Sequence, residues 1–70
     1  MEQKAKWVYI GEVHNDFTKG RFYSEDYTDI HEMKVLKKAV ELFGCKVFRG
    51  DKGERVLLTK SFWQLNFYRL

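Results

Sequence analysis

The chain has no proline, a single cysteine and no apolar run near the length of a membrane-spanning helix. One thiol cannot form an internal disulfide, so Cys45 excludes the stapled secreted scaffolds of this size. A helix spanning the bilayer is excluded by length alone. No glycine-rich phosphate loop occurs, and no nucleophile–base or metal-ligand spacing can be assembled. His31-Glu32 begins like a zinc-protease helix, but that chemistry needs a second imidazole one turn on, where Val35 stands. His14 and Asp16 supply two ligand types without a third. The expectation is a chain that is not an enzyme, holds no metal and uses no cofactor. The segment Met1 to Lys6 is polar and lacks the apolar stretch of a secretory leader. With the lone cysteine, this predicts a reducing cytoplasm, the cell's own or that of an infected host, and no membrane partner.

What is present is aromatic and basic. Seventy residues carry twelve aromatic side chains and thirteen Lys plus Arg, for a net charge of +3. A chain this short makes a single domain, 1–70, and buries only about 60% of its unfolded surface. Each aromatic ring buries roughly 150–250 Å², so packing can replace a disulfide. The charge is unevenly placed. Residues 15–32 carry five acidic residues against Lys19 and Arg21, whereas residues 33–70 carry nine basic ones against Glu41, Asp51 and Glu54. Such asymmetry can steer a charged partner.

Local patterns predict the elements. Lys6 to His14 is β-branched and aromatic and reads as a strand, with Trp7 and Tyr9 on one face and Val8 and Ile10 on the other. Asn15 to Gly20 carries turn chemistry, and Arg21 to Ser24 can return as a short second strand. A helix follows, with Asp29 as N-cap. Its apolar stripe is Ile30, Met33, Leu36, Val40 and Phe43, and Gly44 ends it. Cys45 to Arg49 and Glu54 to Lys60 flank the turn Gly50-Asp51-Lys52-Gly53 and read as a hairpin. In Ser61 to Leu70, alternation of Trp63, Leu65 and Phe67 favours a strand, while Ser61 with Gln64 fits a helix N-terminus. The expected fold is α+β: one amphipathic helix packed on a small antiparallel sheet, in the order β-(β)-α-β-β-β.

Two surfaces are candidates. Not every aromatic fits inside so small a domain, and Tyr, Trp and Arg are favoured at protein–protein hot spots. The aromatic and acidic residues Phe22, Tyr23, Asp26 and Tyr27, with Tyr68, therefore form the expected protein-binding set. The second candidate is the basic set Lys34, Lys37, Lys38, Lys46, Arg49, Lys52, Arg55 and Lys60, which interleaved with aromatics would suit nucleic acid. Economy favours the first. A compact chain without chemistry acts by occupying a surface, as small phage-encoded inhibitors of host complexes do. The alternative is a small basic nucleic-acid-binding protein. A free edge on the final strand could also pair two copies into a dimer.

Overall fold

A computed structural model describes residues 6–28 and 30–70, apart from the side chain of His31. The chain is α+β, with two α-helices and two antiparallel sheets among the described residues. β1 (Trp7–Tyr9) is the centre of a three-stranded sheet, flanked by β2 (Phe22–Tyr23) and β5 (Phe67–Arg69). Its register sets Trp7 opposite Tyr23 and Arg69, Val8 opposite Phe22 and Tyr68, and Tyr9 opposite Phe67. β3 (Lys46–Arg49) and β4 (Arg55–Leu58) form the expected hairpin. Just beyond β2, Glu25 bridges to Phe48, Asp26 donates to the Val47 carbonyl at 2.9 Å and Arg49 donates to that of Ser24 at 3.3 Å. The strand path therefore continues from one sheet to the other.

The hairpin turn closes with Gly53 at φ 81°, a left-handed conformation that glycine adopts without a Cβ clash. Gly50 is needed for a different reason. A Cβ there would meet the Glu54 carboxylate and sit 3.0 Å from the carbonyl oxygen of Asp16. That close approach docks the hairpin on the β1–β2 loop, where Asp51 donates its N–H to Asp16 O at 2.8 Å.

The core is aromatic. Trp7, Tyr9, Phe17, Tyr23, Phe48, Leu58 and Phe67 form one buried cluster, with Val56, Phe62 and Trp63 packed against it. The Phe48 ring lies 4.5 Å from that of Phe67 and 5.6 Å from Trp7, joining β3 to β5 and β1. Phe17, from the loop, meets Tyr9, Tyr23 and Phe67 at 5.0–5.6 Å.

Three expectations need correction. The helix is split: a one-turn 3-10 helix spans Ile30–Glu32, and α1 begins at Lys34 and runs to Phe43. Met33 between them has φ −110° and ψ 80°, and no side chain caps α1; Asp29, the expected cap, lies outside the described residues. Gly44 ends α1 in the left-handed conformation as expected. Second, no residue of α1 is buried. Its Leu36, Ala39 and Val40 are half-buried, and the buried cluster is built from the two sheets and the β1–β2 loop instead. Third, the strand expected over 61–70 is a helix for most of its length. α2 spans Lys60–Asn66, and only Phe67–Arg69 is extended. Its cap is Thr59, not Ser61: the Thr59 side chain accepts from Phe62 N, and Trp63 Nε1 donates to Gly44 O at 2.9 Å. The edge proposed to join two copies is thereby reduced to three residues, one of them Arg69; short, charged edges resist strand addition.

Candidate functional site

Alternation along β1 sends Trp7 and Tyr9 inward and Val8 and Ile10 outward. Register then carries the outward set across the sheet. Phe22 and Tyr68 flank Val8 on its two sides, 62% and 60% exposed. Two interstrand spacings put their backbones roughly 10 Å apart. Leu70 N donates to Lys6 O at 2.9 Å, continuing the ladder, and Leu70 and Ile10 are also exposed. Antiparallel sheets that face water on one side normally carry polar residues there. Here that face is Val8, Ile10, Phe22, Tyr68 and Leu70, with the Lys6 ammonium 6.0 Å from the Phe22 ring centre.

The structure thus brings together two of the five residues expected to bind protein. Tyr23 belongs to the core: its hydroxyl donates to Asp51 Oδ1 at 2.6 Å and accepts from Thr18 N at 2.6 Å. Asp26 is buried, taking hydrogen bonds from Thr28 N at 3.0 Å and Thr28 Oγ1 at 2.6 Å and from the Arg49 guanidinium. Tyr27 is half-buried and donates its hydroxyl to Glu25 Oε1 at 2.5 Å. These three hold the fold, because hydroxyls and carboxylates in a ring-filled interior need partners. Val8, Ile10 and Leu70 were missed as site residues. The signal for the first two was present in the alternation of β1, but an apolar outer face is indistinguishable from a core face until the register is known.

The basic set is divided. Lys46, Arg49 and Arg55 are held internally, by Glu25, by Asp26 with the Gly53 carbonyl, and by the Thr28 carbonyl respectively. Lys34, Lys37 and Lys38 are exposed on α1, Lys52 in the hairpin turn and Lys60 at the start of α2. None of the eight lies on the strands that carry Phe22 and Tyr68.

Lys46 occupies a box of its own. Its ammonium is 4.7 Å from the Trp63 ring centre, 5.5 Å from that of Trp7 and 3.1 Å from Glu25 Oε1, while Trp7 Nε1 donates to Glu25 Oε2 at 3.2 Å. One cation therefore ties β3 to β1 and α2. Replacing it with a methionine of similar length should destabilise the domain by about 1–2 kcal/mol, since cation–π and charge-assisted contacts are both lost. Tryptophan-monitored urea unfolding reads this directly, and an unchanged midpoint would refute the tie.

Titration in the interior follows these contacts. Burial raises the phenols of Tyr9, Tyr23 and Tyr27, and the carboxylates Glu12, Asp51 and Glu25 beside them add to the effect. Thr28 and Arg49 hold the Asp26 carboxyl well below the usual carboxylate range despite its burial. Burial alone would raise Glu25, but the Tyr27 hydroxyl, Lys46 and Trp7 outweigh it and its pKa falls. The hydroxyls of Tyr23 and Thr18 lower Asp51, aided by Arg21. Each of these groups is moved away from neutrality, the opposite of what proton transfer at pH 7 requires.

Among the described residues, no three His, Cys, Asp or Glu side chains gather to hold a metal, and no helix is long and apolar enough to cross a membrane. The hollow of about 470 Å³ in the β1–β2 loop is lined by Gly11 to His14 and Phe17 to Lys19. His14 is turned into the fold there: Nδ1 accepts from Asp16 N at 3.0 Å, and its ring lies 5.2 Å from Phe17 and 5.4 Å from Phe62. A scan of protein-family models, a search of curated proteins and a search of solved structures each found no match to this chain.

Proposed function

We propose that this chain is a small, non-enzymatic protein-binding module whose principal contact is the outer face of the three-stranded sheet, and that it acts by obstructing the surface it covers. One observation carries the reading. Among the described residues, eleven large hydrophobic side chains are exposed against eight hydrophobic residues buried in the core. Scattered single exposures mean little, but contiguous ones mark interaction sites. Phe22, Val8 and Tyr68 form an unbroken row across three strands. Large rings on a rigid sheet lose little conformational freedom on binding, which suits them as anchors.

Obstruction is the mode this anatomy favours. A flat apolar row can cover a partner's groove or assembly surface, and an inhibitor of a host or partner complex needs no chemistry of its own.

The test compares the wild type with a Phe22→Ser/Tyr68→Ser double variant, immobilised and exposed to cell lysate with and without nuclease. Both substitutions are on the solvent face, so circular dichroism and the unfolding midpoint should stay near those of the wild type. The expected result is one stoichiometric protein, retained after nuclease treatment and weakened at least about tenfold by the double variant, a loss of ~1.4 kcal/mol. Equal retention by both proteins would overturn the site. Recovery that collapses with nuclease would replace it with nucleic-acid binding.

A further inference from the structure

The second exposed apolar surface is on α1, an element that carries none of the sheet row. At 3.6 residues per turn, Leu42, Val35, Ala39 and Phe43 lie side by side along the helix. Val35, Leu42 and Phe43 are 80%, 70% and 71% exposed. Tyr27, Ile30 and Val40 line a small cleft of about 200 Å³ with Lys37 and Glu41, so the helix's other apolar edge is the one turned to the protein. Ala39, between Val35 and Phe43, is half-buried, so the outward surface is carried by Val35, Leu42 and Phe43. A half-covered helix with such an outer edge is the form in which an amphipathic helix docks a partner.

Charge decides what the partner is. Lys34 and Lys38, one turn apart, run along one margin of the Val35–Leu42 stripe; Glu41 stands on their far side, and no acidic residue lies between them and the stripe. A second copy fits badly. Packed antiparallel, two such helices set lysine margin against lysine margin; packed parallel, they press the lysines against the apolar margin of Ala39 and Phe43. A helix or strand with apolar residues at matching spacing and Asp or Glu beside them satisfies both features, burying the stripe and pairing the lysines.

We propose that the exposed stripe of α1 is a docking surface for an acidic, apolar segment of a partner protein. It is distinct from the Phe22–Tyr68 row and would let the module engage one partner at two places or two partners at once.

The probe is a pair of synthetic amphipathic helical peptides with the same leucine stripe, one flanked by glutamate and the other by lysine. Binding is followed by fluorescence anisotropy at low and high salt. The wild type should bind the glutamate peptide at least about tenfold more tightly than the lysine peptide, with the preference shrinking in salt. A Lys34→Glu/Lys38→Glu variant should invert the preference. This variant should fold, because both side chains are exposed and a glutamate at position 34, in the first turn, suits the helix dipole. Val35→Ser/Leu42→Ser should abolish binding of either peptide, and Phe22→Ser/Tyr68→Ser should leave it unchanged, which separates this surface from the sheet row. Equal affinity for the two peptides, or binding that survives Val35→Ser/Leu42→Ser, overturns the proposal. Concentration-dependent dimerisation lost in that same variant would assign the stripe to a second copy instead.

Discussion

Phe48→Ala is expected to remove a third or more of the stability of the fold. Phe48 is completely buried and its ring is shared by both sheets, with Phe67 at 4.5 Å and Trp7 at 5.6 Å. Truncating a buried phenylalanine costs about 3–5 kcal/mol, part from lost transfer free energy and part from the cavity left behind. A domain of seventy residues has a total stability of about 4–10 kcal/mol. The cavity cannot collapse easily, because the neighbouring Trp7 and Phe67 rings are fixed on adjacent strands of the three-stranded sheet. Urea unfolding followed by tryptophan fluorescence should lose its native baseline or shift to a far lower midpoint. A loss below about 1 kcal/mol would show that the two sheets do not share this core.

Asp26→Asn should have the next largest effect and should change the shape of the acid unfolding limb. The carboxylate accepts two hydrogen bonds from Thr28 and pairs with Arg49. Asparagine keeps the size and one acceptor oxygen but loses the charge, at a cost of about 2 kcal/mol. The sign follows from the depressed carboxyl pKa. In the unfolded chain the group titrates near 4, so the folded state binds fewer protons below that point. The stabilisation is fully present above about pH 4 and is lost as pH falls toward the folded value. The wild type should therefore lose stability steeply below pH 4. Glu25 and Asp51, also depressed, contribute to that slope in both proteins. The variant should be less stable at pH 7, with a difference that narrows as the acid limb is descended. Parallel limbs would mean that Asp26 is not held as an ion in the fold.

Local elements were legible because their signals are local. The turn Gly50–Gly53 sets its own hairpin, and β3 and β4 pair in the register that turn allows. Gly44 stops α1 because its left-handed conformation costs glycine little. The β1–β2 pair follows from apolar alternation on either side of Asn15–Gly20, but β1 ends at Tyr9 where the pattern of Lys6–His14 runs on to His14. Over 61–70 the helix that Ser61 and Gln64 also allowed forms in place of most of the favoured strand, for an equally definite reason. Alternating aromatics satisfy a strand pattern, but Thr59 caps this segment and Trp63 anchors to Gly44, contacts made by residues outside the segment's own pattern. Of the expected binding residues, Phe22 and Tyr68 proved exposed, whereas Tyr23, Asp26 and Tyr27 were recruited by Asp51, Thr28, Arg49 and Glu25.

The sequence by itself determined the α+β class, the hairpin, the helix and its glycine stop, and an aromatic content too large to be wholly interior. These depend on periodicity and turn chemistry within a few residues. Only the tertiary structure decided which face of each element is the inside. β1 is apolar on both faces, and twelve rings offer more core than one domain can use. The choice was made by Phe17, Phe48 and Phe67, distant in the chain, packing together on the Trp7–Tyr9 face. That packing left Val8, Phe22, Tyr68 and the stripe of α1 outside, because burial is a property of how distant residues meet and not of any segment alone.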